Sequence, residues 1–218
     1  MKVLKIFTLV GLPLIAAIFY FMNPGCLNRE IFTGFILFII FERVWESLYL
    51  SKDKDKDKVE GDWTLIASIL SYIFLILLCL IEFYATARGS NIAITVAAIF
   101  SYFAALFLRL WAVKSLGDQW SIHIIGEDKL SNRRLINDGP YRYMRHPVYL
   151  GIIIEQISIP LVFNLYWASL VIALVSISLN LKKTNLEECE MEKRFGEDYT
   201  KYKTIPRFNI FAMRRRMI

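Results

Sequence analysis

Apolar residues run in long blocks along this chain, and polar residues gather between the blocks instead of alternating within them. A helix of about 20 mostly apolar residues crosses a bilayer core. Six blocks approach that length, at residues 3–22, 31–50, 63–84, 92–112, 148–163 and 165–181. The last two are parted only by Asn164 and its neighbours, so they predict a tight helical hairpin with Pro160 near its turn. The first block follows Lys2 and Lys5, but it is long for a cleaved leader and no small-x-small site follows it, so it reads as a retained helix. The pattern therefore predicts an all-α fold, a polytopic membrane bundle of about six transmembrane helices.

Composition agrees: 56% of the 218 residues are hydrophobic and the mean hydropathy is +0.44. That is too apolar for an ordinary soluble domain. Positive charge sorts by side. With a cytosolic N-terminus, the inner segments carry Lys2 and Lys5, four lysines in 51–62, six Lys/Arg in 113–147 and ten in 182–218. Only Arg29 and Arg88 fall outside, while Arg43 and Arg109 lie within spans. This is the positive-inside bias, and anionic lipid headgroups account for the net charge of +6 without nucleic acid. The expected location is a prokaryotic plasma membrane or the endoplasmic reticulum. Cys26, Cys79 and Cys189 fall outside, mid-span and inside, so no disulfide joins them. The two histidines, His123 and His146, lie 23 residues apart, and no metal-ligand spacing occurs.

Between the blocks, "SKDKDKDKVEGD" reads as a solvated linker. In the second block, "FERVWESLYL" sets Glu42, Arg43 and Glu46 at membrane depth, where ionisable groups are costly and usually paired. Arg43 and Glu46 share a helix face, either as an interfacial ion pair or as a buttress for a polar pocket. The loop over 113–147 is too aromatic for a tether, and its apolar residues (Ile124, Ile125, Leu135, Ile136) predict that it folds back on the bundle. After the last block, Leu186, Met191, Phe195, Tyr199 and Tyr202 recur at helical spacing. They predict a separate amphipathic C-terminal helix that begins near Glu187 and Glu188 and ends before Pro206.

Chemistry concentrates at "GPYRYMRHPVYLG", residues 139–151. Pro147 disfavours helix at His146 and suits the first turn of the fifth span. The helix amides there, with Arg142 and Arg145, make a field suited to an anionic group. Glu187 and Glu188 lie just past the last span, at the same depth. Arginines on one wall and carboxylates on the other suit a zwitterionic ligand.

At these residues the chain resembles the isoprenylcysteine carboxyl methyltransferases and their bacterial and archaeal relatives. The resemblance covers about 108–208 and rests on "LGDQW", "LINDGPYRYMRHPVYLG" and "LEECEMEKRFGEDYTKYKTIP". It implies a division into residues 1–112, four anchoring spans, and 113–218, a catalytic region with a cytosolic cofactor-binding loop, helical hairpin and C-terminal helix. It implies S-adenosylmethionine as cofactor and S-adenosylhomocysteine as product. Leu135, Ile136, Tyr141, His146, Pro147, Val148 and Tyr149 would line the cofactor, with Glu188 at its amino-acid end and Glu187 in support. Lys183, Glu188 and Arg145 are the candidate catalytic residues. Lys183 stands where the isoprenylcysteine enzymes have an arginine, keeping the charge but losing the bidentate fork.

The implied reaction is methyl transfer to a lipophilic substrate entering from the bilayer, such as a prenylcysteine carboxylate or an alkylpyrone or phenolic hydroxyl. A carboxylate is already ionised at neutral pH, so positioning and exclusion of water carry catalysis. A phenol or enol needs a base or positive field, for which His123 and Lys183 are the candidates. Two rivals stand beside this reading. Membrane sterol reductases that use NADPH carry a related Arg-His-Pro-Asn-Tyr-x-Gly-acid pattern, but this chain has Val148 and Ile152 at the Asn and acid positions. The other rival is a non-catalytic scaffold of the same fold.

Overall fold

A computed structural model describes residues 7–50, 63–86, 90–117 and 135–204. Lys2, Lys5, the charged linker, Arg88, His123, most of "LGDQW" and Pro206 lie outside the described residues. Within them the chain is all-helical. A π-helical turn at Phe7–Gly11 leads into α1 (Leu12–Met22), followed by α2 (Arg29–Leu50), α3 (Trp63–Ala85) and α4 (Ile92–Leu116). A 3-10 turn at Gly139–Arg142 precedes α5 (Pro147–Leu161) and α6 (Tyr166–Thr204).

Local chemistry sets the boundaries. The Asn91 side chain accepts hydrogen bonds from Ala93 N and Ile94 N at 3.1 and 3.3 Å, capping α4. Pro147 opens α5 behind His146, whose φ of −129° lies outside the helix. The α5–α6 hairpin turns at Asn164, which adopts φ 57°. Its amide accepts from Asn91 N and the Tyr166 hydroxyl and donates to Thr95 Oγ1, tying the turn to α4. The Glu82 carboxylate accepts from Trp167 N and Ala168 N, so an acid on α3 satisfies the exposed amides and positive dipole end of α6.

The expected break between the last span and a C-terminal helix is absent, because 182–186 holds neither glycine nor proline. The helix runs through, and Glu187 and Glu188 sit inside α6 rather than at a helix start. The chain departs from helix instead at Gly196, with φ 51° and ψ −122°, a conformation that excludes most side chains.

The helices pack as neighbours α4 on α5, α5 on α6, α3 on α6 and α1 on α2. The main core draws Phe32, Ile36 and Ile39 from α2 together with Leu75, Ile76 and Leu80 from α3. At the end of the bundle away from the Arg-His-Pro stretch, Phe32 stacks on Phe83 at 3.7 Å between centroids, with Phe163 edge-on. A smaller core, Ala112, Tyr141 and Val148 with Ile136 and Ile152, fastens the end of the 113–147 loop to α4 and α5.

Among the described residues, two helices, α3 and α4, are by themselves long and apolar enough to cross a membrane; α5 and the segment Phe7–Met22 are apolar but shorter. On α4, Val96, Phe100, Phe103, Phe107 and Leu110 are exposed at three- and four-residue spacing, making one greasy stripe.

Candidate functional site

Around the N-terminus of α5, the two polar patches expected from the sequence meet. His146 is buried, and its ring lies between the acids of α6: Nε2 is 3.1 Å from Glu188 Oε1 and Nδ1 is 3.4 Å from Glu187 Oε2. Arg145 Nη1 is ion-paired with the same Glu188 oxygen at 3.0 Å, without the alignment of a hydrogen bond. Tyr149 stacks on His146 at 5.8 Å and hydrogen-bonds to Glu187.

Downstream of Gly196 the chain returns to this cluster. The Tyr202 hydroxyl donates to the Tyr141 carbonyl at 3.0 Å, while Lys203 Nζ reaches Glu188 Oε2 at 3.1 Å and Glu192 at 2.7 Å. Tyr199 is buried beside Tyr202.

The electrostatics follow from that packing. Burial raises the Glu188 carboxyl, but the His146 hydrogen bond and the Arg145 charge outweigh it and hold the pKa at about 2. Glu187 is likewise lowered: its burial is overcome by His146 and Tyr149. Burial lowers His146, yet its bonds to Glu187 and Glu188 raise it on balance. Burial, with Glu187 nearby, pushes the Tyr141 phenol up and keeps it neutral.

Of the other expected residues, Ile136 packs on Tyr141 and Val148, Leu135 is half-buried beside it, and Pro147 begins α5. Arg142 is exposed on the 3-10 turn. Lys183 lies a turn deeper in the bundle than the acids, where its ammonium donates to Ser68 Oγ on α3. As donors and acceptors, this set fits the amino-acid end of S-adenosylmethionine. Arg145 keeps hydrogen-bonding capacity for a carboxylate, and Glu187 and Glu188 offer anionic oxygens to an ammonium.

A second polar centre lies deeper, and the sequence reading found only part of it. Arg43 pairs with Glu46 at 2.6 Å, as expected, and also with Glu42 and, at 3.4 Å, with Glu155 of α5. Arg109 of α4 bridges Glu46 and Glu155, and the Tyr72 hydroxyl donates to Glu155 at 3.0 Å. Glu155, fully buried, is the keystone that was missed; an acid inside an apolar span was the available signal. Gly151, which closes the Arg-His-Pro motif, lies against the Arg109 stem and gives it room to cross α5.

Residues 96–193, which hold the Arg-His-Pro and Glu-Glu cluster, match the isoprenylcysteine carboxyl methyltransferase (ICMT) family. Among relatives, the Protein-S-isoprenylcysteine O-methyltransferase of Schizosaccharomyces pombe is 28% identical over 97 residues, 44% of this chain and 41% of that protein. The enzyme of the same name from Dictyostelium discoideum is 25% identical over 175 residues, 78% of this chain and 71% of that protein. The Bacillus subtilis protein YpbQ is 37% identical over 59 residues, 27% of this chain and 33% of that protein. The chain thus spans under half the length of two of these relatives. No solved structure matches it.

Proposed function

We propose that this chain is a multi-pass integral membrane methyltransferase that uses S-adenosylmethionine and methylates a lipophilic substrate, with the carboxylate of a prenylated cysteine as the first choice. The single observation that carries the reading is the meeting of Arg145, His146 and Tyr149 with Glu187 and Glu188 in a stretch that matches the ICMT family. The greasy stripe of α4 supports membrane insertion, and the sorting of positive charge supports a site that faces the cytosol.

In this reading Arg145 binds the cofactor's carboxylate, Glu188 and Glu187 bind its ammonium, and His146 holds the two acids in register. Pro147, Val148, Tyr141, Leu135 and Ile136 supply the apolar lining. When bound, S-adenosylmethionine supplies an electrophilic methyl on a sulfonium, and its transfer to a carboxylate oxygen leaves a neutral thioether with no proton to move. The chain's task is then orientation and exclusion of water.

The test is ligand binding by the detergent-purified protein, comparing S-adenosylmethionine, S-adenosylhomocysteine and NADPH. The sulfonium pair should stabilise the wild type. Glu188→Ala and His146→Ala should abolish that stabilisation, while Lys52→Ala in the charged linker should keep it. Stabilisation by NADPH instead, or wild-type binding by both site variants, would refute the proposal. Turnover on prenylcysteine, alkylpyrone, alkylresorcinol and phospholipid substrates then identifies the methyl acceptor.

A further inference from the structure

Both oxygens of Glu188 are engaged by groups of the chain itself. Oε1 faces inward, 3.1 Å from His146 Nε2 and 3.0 Å from Arg145 Nη1. Oε2 meets Lys203 Nζ at 3.1 Å. The partner outside the inner clasp is therefore itself an ammonium. It sits in a small cage, with Glu192 Oε1 at 2.7 Å and the centroid of the Tyr199 ring at 5.8 Å.

Lys203 reaches that cage because the chain folds back. It comes 11 residues after Glu192, well beyond the three- and four-residue spacing of neighbours on one helix. The positive φ of Gly196 redirects the chain, and residues 197–204 return as a short strap. Buried Tyr199 stacks on Tyr202, whose hydroxyl fastens the strap to the Tyr141 carbonyl at 3.0 Å, on the turn that precedes His146.

Under the reading above, the cofactor's ammonium also binds Glu188. Oε1 is already shared by His146 and Arg145, so an incoming ammonium belongs on Oε2, the oxygen that Lys203 holds. Two ammonium groups on one oxygen repel each other. Glu192, half exposed and already touching Lys203, gives the lysine a place to go.

We propose that Lys203 is an internal stand-in for the cofactor's ammonium, which the cofactor displaces from Glu188 toward Glu192 as it binds. This rests on the methyltransferase reading. Affinity for the ligand is then lowered by the fraction of molecules in which Lys203 holds Glu188. A ligand without an ammonium does not compete with the lysine and escapes that penalty.

The experiment measures the Kd of two ligands for the purified full-length protein. One is S-adenosylhomocysteine; the other is its deamino analogue, which keeps the carboxylate and lacks only the ammonium. Lys203→Met should lower the Kd of S-adenosylhomocysteine about two- to fivefold, the worth of a partly exposed ion pair. It should not lower the Kd of the deamino analogue. Glu192→Gln should act in the opposite direction and weaken S-adenosylhomocysteine, because Lys203 is then left with Glu188 alone. That weakening should vanish when Lys203→Met is present as well.

Unchanged or weaker S-adenosylhomocysteine binding by Lys203→Met would overturn the stand-in. So would equal tightening of both ligands, the mark of a strap that has merely come loose. Either result, with S-adenosylhomocysteine bound by the wild type, leaves the methyltransferase reading intact. A wild type and a Lys203→Met variant that bind neither ligand would overturn that reading and the stand-in with it.

Discussion

Replacing Gly151 with alanine tests whether the Arg-His-Pro motif and the buried ion network are one piece of packing. An added Cβ would stand 3.1 Å from Arg109 Cδ and 3.2 Å from the Ala105 carbonyl oxygen, and nearer still to Arg109 Cγ. The obstacle is the middle of a side chain anchored at its far end, where the guanidinium is held by Glu155 and Glu46. Arg109 therefore moves aside only by breaking a buried ion pair; otherwise α4 and α5 separate. Overpacking of this kind costs about 1–3 kcal/mol, against a gain of up to about 1 kcal/mol from alanine's better helix propensity. The net loss should be on the order of 1–2 kcal/mol, which lowers the melting midpoint of a chain this size by about 2–8 °C. A thiol-reactive dye reading exposure of the buried Cys79, with Cys26 and Cys189 replaced by serine, follows the transition. With Arg109→Ala in the background, the same substitution should become neutral or stabilising. An unchanged or raised midpoint for Gly151→Ala alone refutes the reasoning.

Two further outcomes follow from the charges. Glu188, held at about 2 against an ordinary 4.5, contributes stability that is present above pH 4.5 and lost as pH falls toward 2. His146, raised above 6.5, contributes stability that is complete below pH 6.5 and lost as pH rises through its raised value. Melting midpoints should therefore peak between about pH 4.5 and 6.5, and His146→Gln should remove the decline on the alkaline side; persistence of that decline in the variant contradicts the assignment. Glu155→Ala, which leaves buried Arg109 with Glu46 as its remaining carboxylate, should cost up to about 3–5 kcal/mol, whereas Glu155→Leu combined with Arg109→Met should cost less than Glu155→Ala alone. A double variant that melts below Glu155→Ala speaks against the pairing.

The helices and the hairpin turn were readable because apolar block length and a lone Asn-centred break are local properties of the chain. The meeting of His146 with Glu187 and Glu188 was readable because both lie within a few residues of predicted membrane exits, which fixes depth. The sequence could not supply rotation about the helix axes. Arg109 and Glu155 are 46 residues apart, and only the packing of α4 on α5 turns them toward each other. Lys183 illustrates the same limit: its depth was legible, but its neighbour on α3, Ser68, was not. The continuity of α6 was misjudged because a change from apolar to charged composition was read as a break, although helix propensity does not change there.

The reversal at Gly196 gives the His146–Glu188 cluster two layers that answer differently to dissolved ions. Lys203, 28% exposed, rides on the returning segment and touches Glu188 from the solvent side, whereas His146 and Arg145 hold the same carboxylate from within. Mobile ions screen the outer contact first, since exposed charges are shielded far more than enclosed ones. Concentrated electrolyte should thus loosen residues 197–204 while the inner clasp on Glu188 stays closed.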